Sequence, residues 1–229
     1  MQNITSDILQ VAQGKKNRLT IKTTMRQTIL LLSFVLTTSI CSGQIDHLVP
    51  AKDFKAYGSP LSEYYHGVFG LLYNGYSEKP IARYTSMPSF SKEYAFSIEL
   101  IKDKKFVVSN RLTENYWYAT DKYKVKMISG RAELTNDLYL KIAELFKLLA
   151  EQTRKPETDF SGLDGTTYYF ATTEKDGVIR TGETWSPKGT SVLGRLVSIC
   201  NSIYALGNGE KTTQADILKE IDKLLEDLR

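Results

Sequence analysis

Apolar residues from Tyr94 onward follow two alternating rhythms. Ala95-Phe96-Ser97-Ile98-Glu99-Leu100 alternates apolar with small or charged positions, the period of a half-buried strand. Asp103-Lys104-Lys105 reads as a turn, Phe106-Val107-Val108 opens a second strand, and Tyr116-Trp117-Tyr118 and Tyr123 to Ile128 supply a third and a fourth. At Thr135 the rhythm changes: Leu138, Ile142, Leu145 and Leu149 recur at i, i+4, i+7 and i+11 beside Phe146. This spacing predicts a helix to about Gln152, capped by Thr135 or Asn136. A polar connection with Pro156 follows, and strands are expected at Thr166 to Thr172 and Val178 to Trp185 around a Lys175-Asp176-Gly177 hairpin turn.

Two further helices close the chain. One runs from about Ser191 to Leu206, with Leu193, Leu196, Val197, Cys200 and Ile203 on one face and Gly207-Asn208-Gly209 as its stop. The last opens on the capping-box-like pair Thr213 and Asp216 and carries a continuous stripe from Ile217 to Leu228. That stripe either docks on the parent domain, the commoner outcome, or self-associates through residues 213–229. Nearer the start, Glu63 to Tyr73 is apolar and aromatic, fits a helix better than a strand, and ends at Asn74-Gly75. Runs of strands followed by helices indicate an α+β fold: a mainly antiparallel sheet of five to six strands with three helices on one face.

The amino-terminal region follows a different pattern. Met25 and Arg26 precede the apolar run Ile29 to Ile40, and Cys41-Ser42-Gly43 supplies small residues for cleavage before Gln44. A run of about twelve apolar residues is short for a membrane span, which needs roughly twenty, and suits an export signal. The expected organisation is therefore an upstream or extended n-region over 1–24, a signal peptide over 25–43, an N-terminal arm over 44–60 and one α+β domain over 61–229. Lipid attachment at Cys41 is the less favoured reading, because Ile40 before it is not small. An uncleaved signal anchor is the other alternative.

Removing the leader alters the charge. The whole chain carries 30 basic and 26 acidic residues, but residues 1–43 hold five of the basic and one of the acidic, so the remainder is neutral. No basic block suited to phosphates remains, which argues against nucleic acid as a partner. Cys200 is the one cysteine beyond Cys41 and reads as a small buried residue on a helix face. The mature chain is expected to have no membrane-spanning segment and to lie in the periplasm or outside the cell.

Candidate chemistry is sparse. Glu63 and His66 stand at i, i+3, which on a helix places a carboxylate and an imidazole on one face, and Asp164 lies in the turn-like Asp164-Gly165. These three are the candidate catalytic residues of a hydrolase or transferase. No companion ligands mark a metal site, and no cofactor is expected. Ser186 and Lys188 could form a dyad, but Pro187 and Gly189 between strand and helix read more simply as a connection. Aromatic residues stand out, with fourteen tyrosines. Tyr116, Trp117, Tyr118 and Trp185 are the candidate ligand-binding residues, since such side chains combine rigid apolar area with a polar handle. The leading expectation is a non-catalytic binding or interaction domain whose partner is a protein, a small molecule or a glycan.

Four short stretches carry a resemblance: Pro88-Ser89-Phe90, Asn115-Tyr116-Trp117-Tyr118, Leu163-Asp164-Gly165-Thr166 with Tyr169-Phe170, and Trp185-Ser186-Pro187 ahead of Arg195-Leu196-Val197. Over roughly residues 85–206 the chain resembles a group of uncharacterised exported proteins of Gram-negative bacteria. The resemblance implies export and the domain limits, and supplies no catalytic residues.

Overall fold

Seven antiparallel strands form one sheet in the order β1-β7-β6-β2-β3-β4-β5. The computed structural model describes residues 46–52, 58–156 and 164–229. In chain order its elements are β1 (Val49–Pro50), α1 (Leu61–Leu72), β2 (Arg83–Pro88), β3 (Tyr94–Ile101), β4 (Lys104–Leu112), β5 (Met127–Glu133), α2 (Asn136–Gln152), β6 (Thr166–Thr173), β7 (Ile179–Trp185), α3 (Val192–Gly207) and α4 (Gln214–Leu228). The fold is α+β, with one strand more than the upper expectation and four helices among the described residues. The readings of residues 1–24, of 25–43 as a signal peptide and of Cys41 as a lipid site fall outside the described residues, as does Leu163.

The period of two divides each strand between two cores. Tyr84, Phe96 and Phe170 sit side by side on paired strands and face α2, α3 and α4, against Phe146, Leu196, Ile203 and Ile221. The alternate positions Met87, Ala95, Leu112 and Tyr169 face the other way and pack against Tyr64, Val68 and Leu72 of α1. Three helices thus cover one face, as the pattern predicts, and α1 covers part of the other. Each carboxy-terminal helix begins on a side-chain cap: the Leu138, Gly194 and Asp216 N–H groups donate to the hydroxyls of Thr135, Ser191 and Thr213.

The structure corrects several expectations. Tyr116-Trp117-Tyr118 is a turn, not a strand; the chain leaves the sheet after Leu112 and returns at Met127, so the fourth predicted strand starts later and runs to Glu133. The sequence of β2 gives no alternation, because all six of its residues are buried, polar Arg83, Thr85 and Ser86 included. It lies inside the sheet, paired on both sides with β3 and β6. The arm is also more structured than expected. Val49 pairs with Glu183, Leu48 is buried in the main core, and Asp46 accepts the Val192 and Leu193 N–H groups at the start of α3.

The apolar stripe of α4 is buried within the chain. Ile217, Ile221, Leu224 and Leu225 are covered, and Lys141 of α2 meets Asp222 at 2.9 Å. Docking on the parent domain therefore prevails over self-association as the use of this stripe. Among the described residues no helix is long and apolar enough to cross a membrane.

The carboxy-terminal end of α3 lies close to the sheet where β5 carries Gly130: a Cβ there would stand 2.6 Å from the Gly207 carbonyl oxygen. Gly130→Ala is expected to push the helix end off the sheet and to cost about 1–3 kcal/mol by overpacking. Urea unfolding checks this, and an unchanged midpoint would contradict so tight a contact.

A candidate binding surface at one end of the sheet

Because the strands are antiparallel, β2, β4 and β7 finish at the end of the sheet where β3, β5 and β6 begin. Residues of all four stretches behind the resemblance gather there: Ser89 and Phe90 after β2, the loop with Asn115 to Tyr118 after β4, Asp164 and Gly165 before β6, and Trp185 at the end of β7. These segments are joined directly. The Ser89 N–H donates to the Gly165 carbonyl at 2.8 Å, and the Gly165 N–H to the Ser89 hydroxyl at 3.2 Å.

The 113–126 loop is a folded unit. Its base closes through the Thr113 N–H to the Lys126 carbonyl and the Lys126 N–H to the Thr113 hydroxyl. Val125 is buried in the α1-side core, and the Tyr116 ring lies on Gly67 of α1, where any Cβ would collide with it. The Asn115 amide donates to the Ser91 carbonyl at 2.6 Å and accepts the Tyr118 N–H at 3.2 Å. Tyr118 stacks on Phe90, with centroids 6.3 Å apart and planes at 15°. Trp117 meets Tyr64 edge-on at 5.4 Å.

Beneath these rings lies Glu93, a fully buried carboxylate that the sequence gave no reason to single out. It accepts the Tyr64 hydroxyl at 2.9 Å and the Tyr116 N–H at 3.1 and 3.2 Å, tying α1 and the loop to the start of β3. Burial pushes its carboxyl pKa above the ordinary value, against the pull of the bonds from Tyr116 and Tyr64. Burial and the adjacent Glu93 carboxylate raise the Tyr64 phenol as well. Farther along the same face, burial lowers the Arg83 pKa while the guanidinium sits 4.6 Å from the Tyr73 ring centroid and 5.2 Å from that of Tyr76.

The candidate catalytic residues are all exposed, and Glu63 and His66 bond to groups other than each other. Glu63 is exposed and accepts the Ser59 hydroxyl, His66 is exposed with Nδ1 on the Ser62 carbonyl, and Asp164 is exposed ahead of β6. No hydrogen bond or ion pair joins any two of them. Among the described residues no group of three or more His, Cys, Asp or Glu side chains could hold a metal ion. Cys200 is buried and its thiol is raised by that burial.

Of the four candidate binding residues, Trp117 and Tyr118 are exposed, Tyr116 is half-buried as the foot of the loop, and Trp185 is half-buried against Gly165. The exposed ring absent from that set is Phe90, at 69% exposure. In sequence Phe90 figures only in the stretch Pro88-Ser89-Phe90, where no period marks the ring as outward-facing. Comparison with family models, curated proteins and solved structures finds no match to this chain.

The elevated Glu93 carboxyl has a definite consequence for stability. A group that binds its proton more tightly when folded loses stability for the protein as pH rises from the ordinary carboxylate range through the raised folded value. Melting temperatures between about pH 4 and about pH 7 should therefore decline more steeply in the native protein than in Glu93→Gln, which keeps an acceptor for Tyr64 and Tyr116. Parallel pH profiles would show that Glu93 ionises without penalty.

Proposed function

We propose that this chain is an exported, non-catalytic binding or interaction domain that works through the aromatic end of its sheet. One observation carries the reading. Ten large apolar side chains are exposed among the described residues, and four of them, Phe90, Trp117, Tyr118 and Tyr123, are carried by the two adjoining loops at this one end. Scattered exposed apolar residues need no explanation, but concentration on one face marks a contact surface. The supporting loop is held by bonds from Glu93, Asn115 and Thr113, so the rings are presented with little freedom left to lose on contact. Glu63 and His66 bond to Ser59 and Ser62 and not to each other, which gives a catalytic reading no comparable support.

A thermal-shift screen against glycans and peptides tests the proposal, since a ligand that prefers the native state raises the melting temperature. A shift present in the native protein and reduced roughly tenfold in apparent affinity by Trp117→Ala or Tyr118→Ala is the expected result, those being truncations of exposed anchors at about 1–2 kcal/mol each. A ligand whose effect survives both substitutions would move the site elsewhere. Export is tested separately by the mass of the protein recovered from the periplasm, expected to begin near Gln44.

A further inference from the structure

We propose that the partner of this aromatic end is the surface of a lipid bilayer carrying anionic headgroups. The inference rests on reading the same end as a binding surface, and two observations take it further.

The first is the composition of the two loops that project there, residues 89–93 and 113–126. Phe90, Trp117, Tyr118 and Tyr123 are exposed, Tyr123 wholly so, and they are interleaved with exposed Lys92, Lys122 and Lys126. Lys124 is held by Asp121 at 3.3 Å. The acids of these loops are Asp121, Glu114 and Glu93, and Glu93 is sealed inside, so the outward balance of the two loops is basic in a domain whose residues beyond 43 are neutral, with exposed Asp164 beside them. Amphipathic rings beside lysines are the combination that settles at the headgroup level of a membrane, the rings at the acyl boundary and the ammonium groups on phosphates.

The second concerns polar groups near the rings. A sugar or peptide platform needs directional donors and acceptors beside its aromatic faces. The amide nearest to these rings, Asn115, is committed at both ends to Ser91 and Tyr118, and the most exposed member of the stacked pair is Phe90, which has no polar handle. A fluid headgroup layer asks for no such directional match.

The two tryptophans of the chain, Trp117 and Trp185, make the test specific, because the segment before Asp46 contains none. In the processed protein, beginning near Gln44 and carrying Trp185→Phe, emission reports Trp117 alone. Added vesicles of phosphatidylglycerol and phosphatidylcholine should shift it to the blue, and lipids brominated on their acyl chains should quench it. Phosphatidylcholine alone should do so weakly. Reversing Lys92, Lys122 and Lys126 to Glu should weaken the response to the anionic vesicles by roughly tenfold or more. Emission that neither shifts nor quenches overturns the membrane assignment. If the same single-tryptophan protein then responds to an oligosaccharide or a peptide, the aromatic surface stands with a different partner; if it responds to none of these, the binding surface falls as well.

Discussion

A sheet covered on both faces has to match its polar side chains internally, and this requirement organises the protein. Interior strands β2 and β3, with Glu93 just ahead of β3, carry arginine, glutamate, threonine, serines and tyrosines into the two cores, where an unmatched polar group costs roughly 1–3 kcal/mol. Among the described residues the Arg83 Nε and the Ser97 hydroxyl are left without a partner, and the rest of the pattern is matched. On the three-helix side the Tyr84 and Tyr94 hydroxyls converge on the Asn201 amide oxygen of α3 at 2.9 and 2.8 Å. On the α1 side Glu99 takes the Ser77 N–H, Arg83 reaches the Ser77 carbonyl between two tyrosine rings, and Glu93 takes Tyr64 and Tyr116. Each match draws in a partner from outside the sheet. The loops and helices are therefore positioned by polar demand in the centre as much as by apolar packing.

That demand explains where the aromatic end gets its order. The 113–126 loop holds few residues of its own in the interior, with Val125 the buried one, and a loop of this length would ordinarily be mobile. Here a buried carboxylate requires donors, and the Tyr116 backbone is one of them. The same bond that satisfies Glu93 fixes the loop that carries Trp117 and Tyr118. Position of the outer rings and comfort of the inner charge are one arrangement.

The parts legible in the sequence were those with a period. α2, α3 and α4 were readable from their stripes and caps, the β6–β7 hairpin from Gly177, and the β3–β4 hairpin to within about a residue, its turn falling on Lys102 and Asp103 with positive φ. β2 was not, because burial on both faces erases alternation and its side chains look like those of a loop. Tyr116-Trp117-Tyr118 misled for the converse reason: aromatic residues favour strands, but here their backbone answers a carboxylate twenty-three positions earlier instead of a neighbouring strand. Trp117 and Tyr118 are exposed, but on a turn and not on the strand their residue type suggests. Glu93 and Phe90 acquire meaning only from pairing across the fold, and no local pattern announces that.

The main core is closed by residues from both extremities. Leu48 enters it from the first described segment and Ile217 to Leu225 from the last helix, with the Gln152 side chain reaching the carbonyl of Leu228. That interior is sealed only when α4 lies against α2 and α3. Loosening either the segment at Leu48 or α4 would open the same apolar interior, so the two distant stretches guard one another's burial.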